Sequence, residues 1–264
     1  MNVFAHEIRQ YRKGLLGWII GLCLGAFMFM PFLPAFAENV TNMKEFLSSM
    51  GQMAIAVGID LDLFFGPLGY FNYIFSFIIL AAGIQALALG LKIIAAEGRF
   101  KTADFLLTKP MSRTAIYLQK VLAGFVSLLI TQVTIYAVCL ISLMFFTPES
   151  FSVPSFLLLA STLGFTQFFL YALGIFIATL IPKLKQTIGI AIGLTIVFYM
   201  FSMIANVTEI SELNWLTPFK YFEGNYLLSN QAYDVLPFAL GLSLTALFIF
   251  LGLLVYRRRD VDSV

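Results

Sequence analysis

Charge is what this sequence has least of. Of its 264 residues only 11% are Asp, Glu, Lys or Arg, while 60% are apolar. A soluble domain covers its surface with about a quarter charged residues, so the composition excludes a water-soluble fold and points to an integral membrane protein. Histidine occurs once, as His6, in a leading stretch with no second ligand near it, which argues against a zinc or two-metal centre. Both cysteines, Cys23 and Cys139, fall inside apolar runs, where cysteine packs as a small hydrophobe. They imply neither a disulfide nor a redox compartment. No Gly-Lys pair occurs anywhere, and without one there is no GxxxxGK[ST] phosphate loop.

The apolar runs also lack ionisable groups in their interiors. Ion-coupled pumps and voltage sensors depend on such groups, so those classes are disfavoured. What polarity the runs hold is neutral: Gln85, Thr131, Gln132, Thr134, Thr166, Gln167 and Thr195. Side chains of this kind mostly serve as interhelical hydrogen-bond partners. Gln85, Thr131, Gln132, Thr166, Gln167 and Thr195 are the candidates for lining a passage. Asp60 and Asp62 flank Leu61 at the mouth of the second run and read as solvated carboxylates rather than a cation site.

Long apolar runs are what the sequence has in abundance. Gly14–Ala37 is uncharged for 24 residues, enough at about 1.5 Å per residue to cross a core of roughly 30 Å. Ala35-Phe36-Ala37 resembles a signal-peptidase site, but the run is too long for a usual signal core, so it reads as a retained first span. Further spans lie within 68–91, 121–146, 155–181, 186–207 and 235–256. Before the first span, Phe4, Ile8, Tyr11 and Leu15 share one helical face, with His6, Arg9, Arg12 and Lys13 on others; residues 1–13 read as an amphipathic interfacial helix.

Lys and Arg fix the expected orientation. With the N-terminus inside, fourteen of the sixteen basic residues fall on the inner side and only Lys44 and Lys220 on the outer. That is a positive-inside split. The expectation is therefore an all-α, polytopic protein, a single transmembrane domain over 1–264 with six spans and both termini cytoplasmic. Residues 208–234 form its longer outer segment, with the aromatic content of an interfacial helix pair. Gly17, Gly21 and Gly25 on the first span, and Gly189 and Gly193 on the fifth, make small-residue ridges for close helix packing, within a subunit or between subunits.

The interval 97–120, EGRFKTADFLLTKPMSRTAIYLQK, is the longest charged stretch between two spans. Gly98 is expected to break the preceding helix and Thr102 to cap a short new one through Phe105, Leu106 and Leu107. Pro110 stops that helix, and Ser112 caps the next. A two-turn helix with an apolar face, held between two spans, would lie on the bilayer surface and touch a soluble partner.

Leu106-Leu107-Thr108-Lys109-Pro110-Met111-Ser112-Arg113, preceded by Glu97-Gly98 and followed by Lys120, resembles the first cytoplasmic loop of type-two ABC exporter permeases. The six spans, the amphipathic N-terminus and the long last outer loop are similar to that family, so the resemblance covers the whole chain. Relatives often carry several consecutive acids where this chain has Ala95-Ala96-Glu97. The resemblance implies a membrane pathway, with no cofactor of its own, driven by a separate subunit that binds ATP and Mg. A second permease, most simply another copy, would complete the unit, embedded in the lipids of a bacterial cytoplasmic membrane. It implies a coupling helix near 101–107, with Phe105, Leu106 and Leu107 as apolar contacts and Arg99, Lys101, Asp104 and Arg113 as polar ones. Glu97, as the acidic contact to the ATPase, and Thr102 and Pro110, as cap and stop, complete the coupling residues. The cargo implied is a hydrophobic or amphipathic peptide, antibiotic or lipid-like compound. The alternative class is a membrane scaffold or sensor-complex subunit that transports nothing.

Overall fold

A computed structural model describes residues 3–34, 40–100, 112–147, 150–181, 184, 186–208 and 210–258, with the side chains of 96–100 and 211 left aside. Among these residues all regular structure is helical. Six helices are long and apolar enough to cross a membrane: span 1, Val3–Phe32; span 2, Pro67–Ala95; span 3, Arg113–Phe146; span 4, Val153–Leu180; span 5, Thr187–Val207; and span 6, Val235–Arg258. Successive spans run in alternate directions. One end of the bundle, the basic end, gathers residues 3–13, 92–100, 112–120, 184 and 256–258. The other, the loop-rich end, gathers 40–66, 147, 150–152, 208 and 210–234.

Three boundaries differ from the sequence expectation. The amphipathic N-terminus is not set apart from span 1, because a single helix runs from Val3 to Phe29 before Pro31 draws it into a 3-10 turn. Gly98 does not break the second helix, which continues through it to Phe100. A helical glycine costs only about 1 kcal/mol, and the flanking Ala95, Ala96, Glu97 and Arg99 all favour helix. Pro154 sits inside the first turn of span 4, a position where its missing N–H is not needed. The cap there is Ser152, whose hydroxyl accepts from the Ser155 N–H at 3.3 Å.

Spans 2 and 4 form the centre of the bundle. Most of each is buried, 72% and 67% of their most apolar windows, against 17%, 17% and 11% for spans 1, 5 and 6. Lipid gives no hydrophobic drive between helices, so close packing must hold them, and small residues permit it. Gly90 and Gly174 face each other where spans 2 and 4 cross. A Cβ on Gly90 would run into the Tyr171 carbonyl oxygen, and one on Gly174 into that of Leu87. Spans 1 and 3 pack side by side along one flank, span 5 lies against span 2, and span 6 against span 4. At the loop-rich end the helices Val40–Ser49 and Gln52–Ala56 follow span 1, and Pro218–Tyr221 and Gly224–Asn230 precede span 6.

Candidate functional site

Three groups of polar side chains stand out in this apolar bundle. The first lies at the basic end, where the helix leaving span 2 and the helix entering span 3 flank the interval 101–111. Ser112 caps span 3 as expected, accepting from the Ala115 N–H at 3.2 Å. Two turns on, Lys120 is buried, and its ammonium donates to Glu7 Oε1 at 2.7 Å and to the Ile93 carbonyl at 3.0 Å. Side-chain exposure is 2% for Lys120 and 6% for Glu7. One ammonium thus joins the N-terminal helix, span 2 and span 3. Around it Phe4 N–H donates to Gln119 Oε1 at 3.4 Å, and the Lys92 ammonium stands 5.1 Å over the Tyr11 ring.

Tyrosine hydroxyls extend this stitching. Tyr117 donates to the Ile249 carbonyl of span 6 at 2.8 Å, and Tyr171 of span 4 donates to the Val121 carbonyl at 3.0 Å. Arg113 donates to the Arg257 carbonyl at 3.2 Å, tying the start of span 3 to the end of span 6. Carbonyls already used inside a helix have a second lone pair to accept with, so these bonds join helices without breaking any.

The second group crosses the middle of the bundle. Gln167 Nε2 donates to Gln85 Oε1 at 3.2 Å, Gln85 Nε2 donates to Thr131 Oγ1 at 3.1 Å, and the Thr131 hydroxyl donates to the Ser127 carbonyl at 3.2 Å. The chain of donors runs from span 4 through span 2 to span 3. Gln167 also donates to the Ala82 carbonyl at 3.2 Å. Two of these four bonds join the side chains to one another and two end on backbone carbonyls, while among the described residues Gln167 Oε1 has no hydrogen-bond partner.

The third group lines a cavity of about 80 Å³ at the loop-rich end, between spans 2 and 5, with the 56–58 turn and the segment 219–225 around it. Asn72, Ser76, Tyr199, Ser202, Asn206 and Asn225 are its polar walls. Asn72 Nδ2 donates to Asn225 Oδ1 at 2.6 Å, Asn225 Nδ2 to the Gly58 carbonyl at 3.1 Å, and Asn206 Nδ2 to the Ala56 carbonyl at 3.1 Å. Lys220 and Glu223 form an ion pair at 2.6 Å beside them. Nearby Tyr233 touches Ser161; burial raises its phenol pKa to about 12, partly offset by that hydrogen bond.

Of the six residues read as possible pathway lining, all are buried and only Thr166 reaches this cavity. Gln85, Thr131 and Gln167 form the central chain, Gln132 lies against Gly164, and Thr195 packs beside Gly83. Of the expected coupling residues, Arg113 is at the basic end as described. Lys101, Thr102, Asp104, Phe105, Leu106, Leu107 and Pro110 lie outside the described residues, and Glu97 and Arg99 are placed by backbone alone. Asp60 accepts from the Asp62 N–H at 3.0 Å, a local turn. Among the described residues no group of three His, Cys, Asp or Glu is placed to hold a metal.

Sequence reasoning missed two features. Lys120 and Glu7 are 113 positions apart, and each alone looks like a charge that fixes topology. Asn72, Asn206 and Asn225 each sit near a helix end, where a polar residue excites no comment. In both cases the signal exists only in the folded chain. No curated protein matches this chain. Residues 1–261 match the family model described as ABC-2 family transporter protein.

Proposed function

Because the chain belongs to the ABC-2 transporter family, whose members are multi-pass membrane components, we propose that it is the permease subunit of an ATP-driven exporter. Permeases of this family normally work with a separate ATP-binding subunit. The family match over residues 1–261 is the observation that carries the reading. ATP and Mg belong to the partner, and the cytoplasmic membrane of a bacterium is the setting. The cargo is hydrophobic or amphipathic.

In this reading the basic end faces the cytoplasm, in keeping with its excess of Lys and Arg. Residues 97–120 make the coupling segment, 1–13 the interfacial start of the first helix, and 208–234 the extracellular cap. The apolar residues Phe105, Leu106 and Leu107 dock on the ATPase, with Lys101, Asp104 and Arg113 around them. The bonds from Lys120 to Glu7 and to the Ile93 carbonyl favour a rigid shift of the three flanking helices over a local bend, because packed interfaces move between discrete arrangements.

The second protomer is proposed to meet spans 1 and 5. Among the described residues, Gly17, Gly21, Gly25 and Gly193 have no neighbouring atom within 4 Å of a built Cβ, and Gly189 has only Gln186 Oε1 at 3.9 Å. No described residue packs onto these ridges, which supports an intersubunit seam over intrasubunit packing. Co-purification tests the reading. Wild type is expected to bring down a Walker-motif ATPase, and Phe105→Asp with Leu106→Asp to lose it while still inserting in the membrane. Undiminished recovery with the double variant overturns the docking assignment, and no ATPase with wild type favours the scaffold class.

A further inference from the structure

We infer that the cavity between spans 2 and 5 is a binding site for an uncharged carboxamide, the polar group of an otherwise apolar ligand. Its walls carry three side-chain amides, Asn72, Asn206 and Asn225, with the hydroxyls of Ser76, Tyr199 and Ser202. Bonds to fixed carbonyls orient two of the amides: Asn206 is held by Ala56 and Asn225 by Gly58, while Asn72 is held by Asn225. Each anchoring bond uses one N–H of an amide that has two, together with an oxygen that has two lone pairs. Each amide thus keeps a second N–H and each amide oxygen a lone pair, so residues lining the cavity hold both donors and acceptors, the complement of a group that itself carries both.

Charge selects against ionised ligands. Among the described residues the cavity's one ammonium, on Lys220, holds the Glu223 carboxylate at 2.6 Å, with 10% of the lysine and 33% of the glutamate side chain exposed. An anion would have to displace Glu223, and a cation would meet Lys220 with its counter-charge engaged. Size adds a bound: about 80 Å³, where roughly 10–15 Å³ holds one water by the same measure, admits a handful of non-hydrogen atoms. Phe219 and Ile79 complete the wall with apolar surface. Aromatic and aliphatic walls around a few placed polar groups are the usual make-up of a small-molecule site. The carboxamide is that of a peptide-like cargo, an identification that rests on the permease reading; the site's preference does not.

Three tail-matched probes test it: radiolabelled dodecanamide, dodecanoate and dodecylammonium, which are neutral, anionic and cationic and of which only the first carries a carboxamide. Each is titrated onto the full chain in nanodiscs and corrected for partitioning into empty discs. The dodecanamide is expected to bind at least about tenfold tighter than either charged probe, the discrimination that one mismatched buried polar group gives. Asn206→Leu should remove most of that advantage. Ser202→Asp should shift the preference to the cationic probe, a gain that only a folded protein can show. Equal binding of the three probes, no binding of any by the folded wild type, or an unchanged preference in Ser202→Asp overturns the inference. None of these results bears on ATPase co-purification, so the two readings fail separately.

Discussion

At the scale of single residues the consequential groups are one lysine and two glycines. Burying an ion pair is weak evidence for stability, yet removing one partner strands a charge at about 3–5 kcal/mol. Lys120→Met should therefore destabilise the purified protein strongly, because Glu7, with its second oxygen already lacking a hydrogen-bond partner, would lose its only counter-charge among the described residues. Glu7→Leu with Lys120→Met should recover most of that loss. Thermal melting in detergent reads both, and a single variant as stable as wild type would count against the buried pair. Gly90→Val sets a steric cost against a helix-propensity gain of under 1 kcal/mol. Overpacking costs about 1–3 kcal/mol and here meets backbone, so the steric term wins and melting should fall. Gly21→Ala, with open space around it, should leave the protomer's melting unchanged or raised. The sequence pointed to the periodic glycines and passed over the isolated ones. A repeat is visible in one dimension, whereas Gly90 and Gly174 become a pair only when two helices cross.

At the scale of elements the spans were legible and their joints were not. An uninterrupted apolar run bounded by charge announces a span, and spans 4, 5 and 6 start and end within two residues of the expected bounds. The helices of spans 2 and 3 run eight or nine residues into the charged interval between them. Span 1 differs most, its helix beginning at Val3 because the amphipathic leader and the apolar run share one unbroken helical register. Gly98 was read as a breaker from its identity alone; among good helix formers the same residue is merely a weak point. Gly98→Ala is accordingly predicted to slow amide exchange over 95–100, consistent with a gain of about 1 kcal/mol in helix stability. Faster exchange there would restore the broken-helix reading. The central donor chain from Gln167 to Thr131 is the kind of neutral interhelical link the sequence suggested, and such bonds average about 0.6 kcal/mol in membrane bundles. Gln85→Leu should thus cost less than Lys120→Met in the same melting experiment.

At the scale of the whole molecule, burial is uneven, and that unevenness says which helices have surfaces to spare. Spans 2 and 4 are committed to the interior, whereas spans 1, 5 and 6 present most of their surface outward. Lipid covers outward apolar surface readily, but it gives no use to the glycine ridges on spans 1 and 5. Cysteines placed at Gly21 and Gly193, with Cys23 and Cys139 replaced by alanine, should form disulfide-linked dimers in native membranes; monomer alone would place the seam elsewhere. The seam, the stitched basic end and the amide-lined cavity all acquire purpose from one claim, that this bundle is moved by an ATPase. The most direct measurement is ATP hydrolysis by that ATPase co-reconstituted with the permease in nanodiscs. The account predicts a rate that changes when wild-type permease is present and returns to that of the ATPase alone with Phe105→Asp and Leu106→Asp. A rate indifferent to the wild-type permease would contradict it.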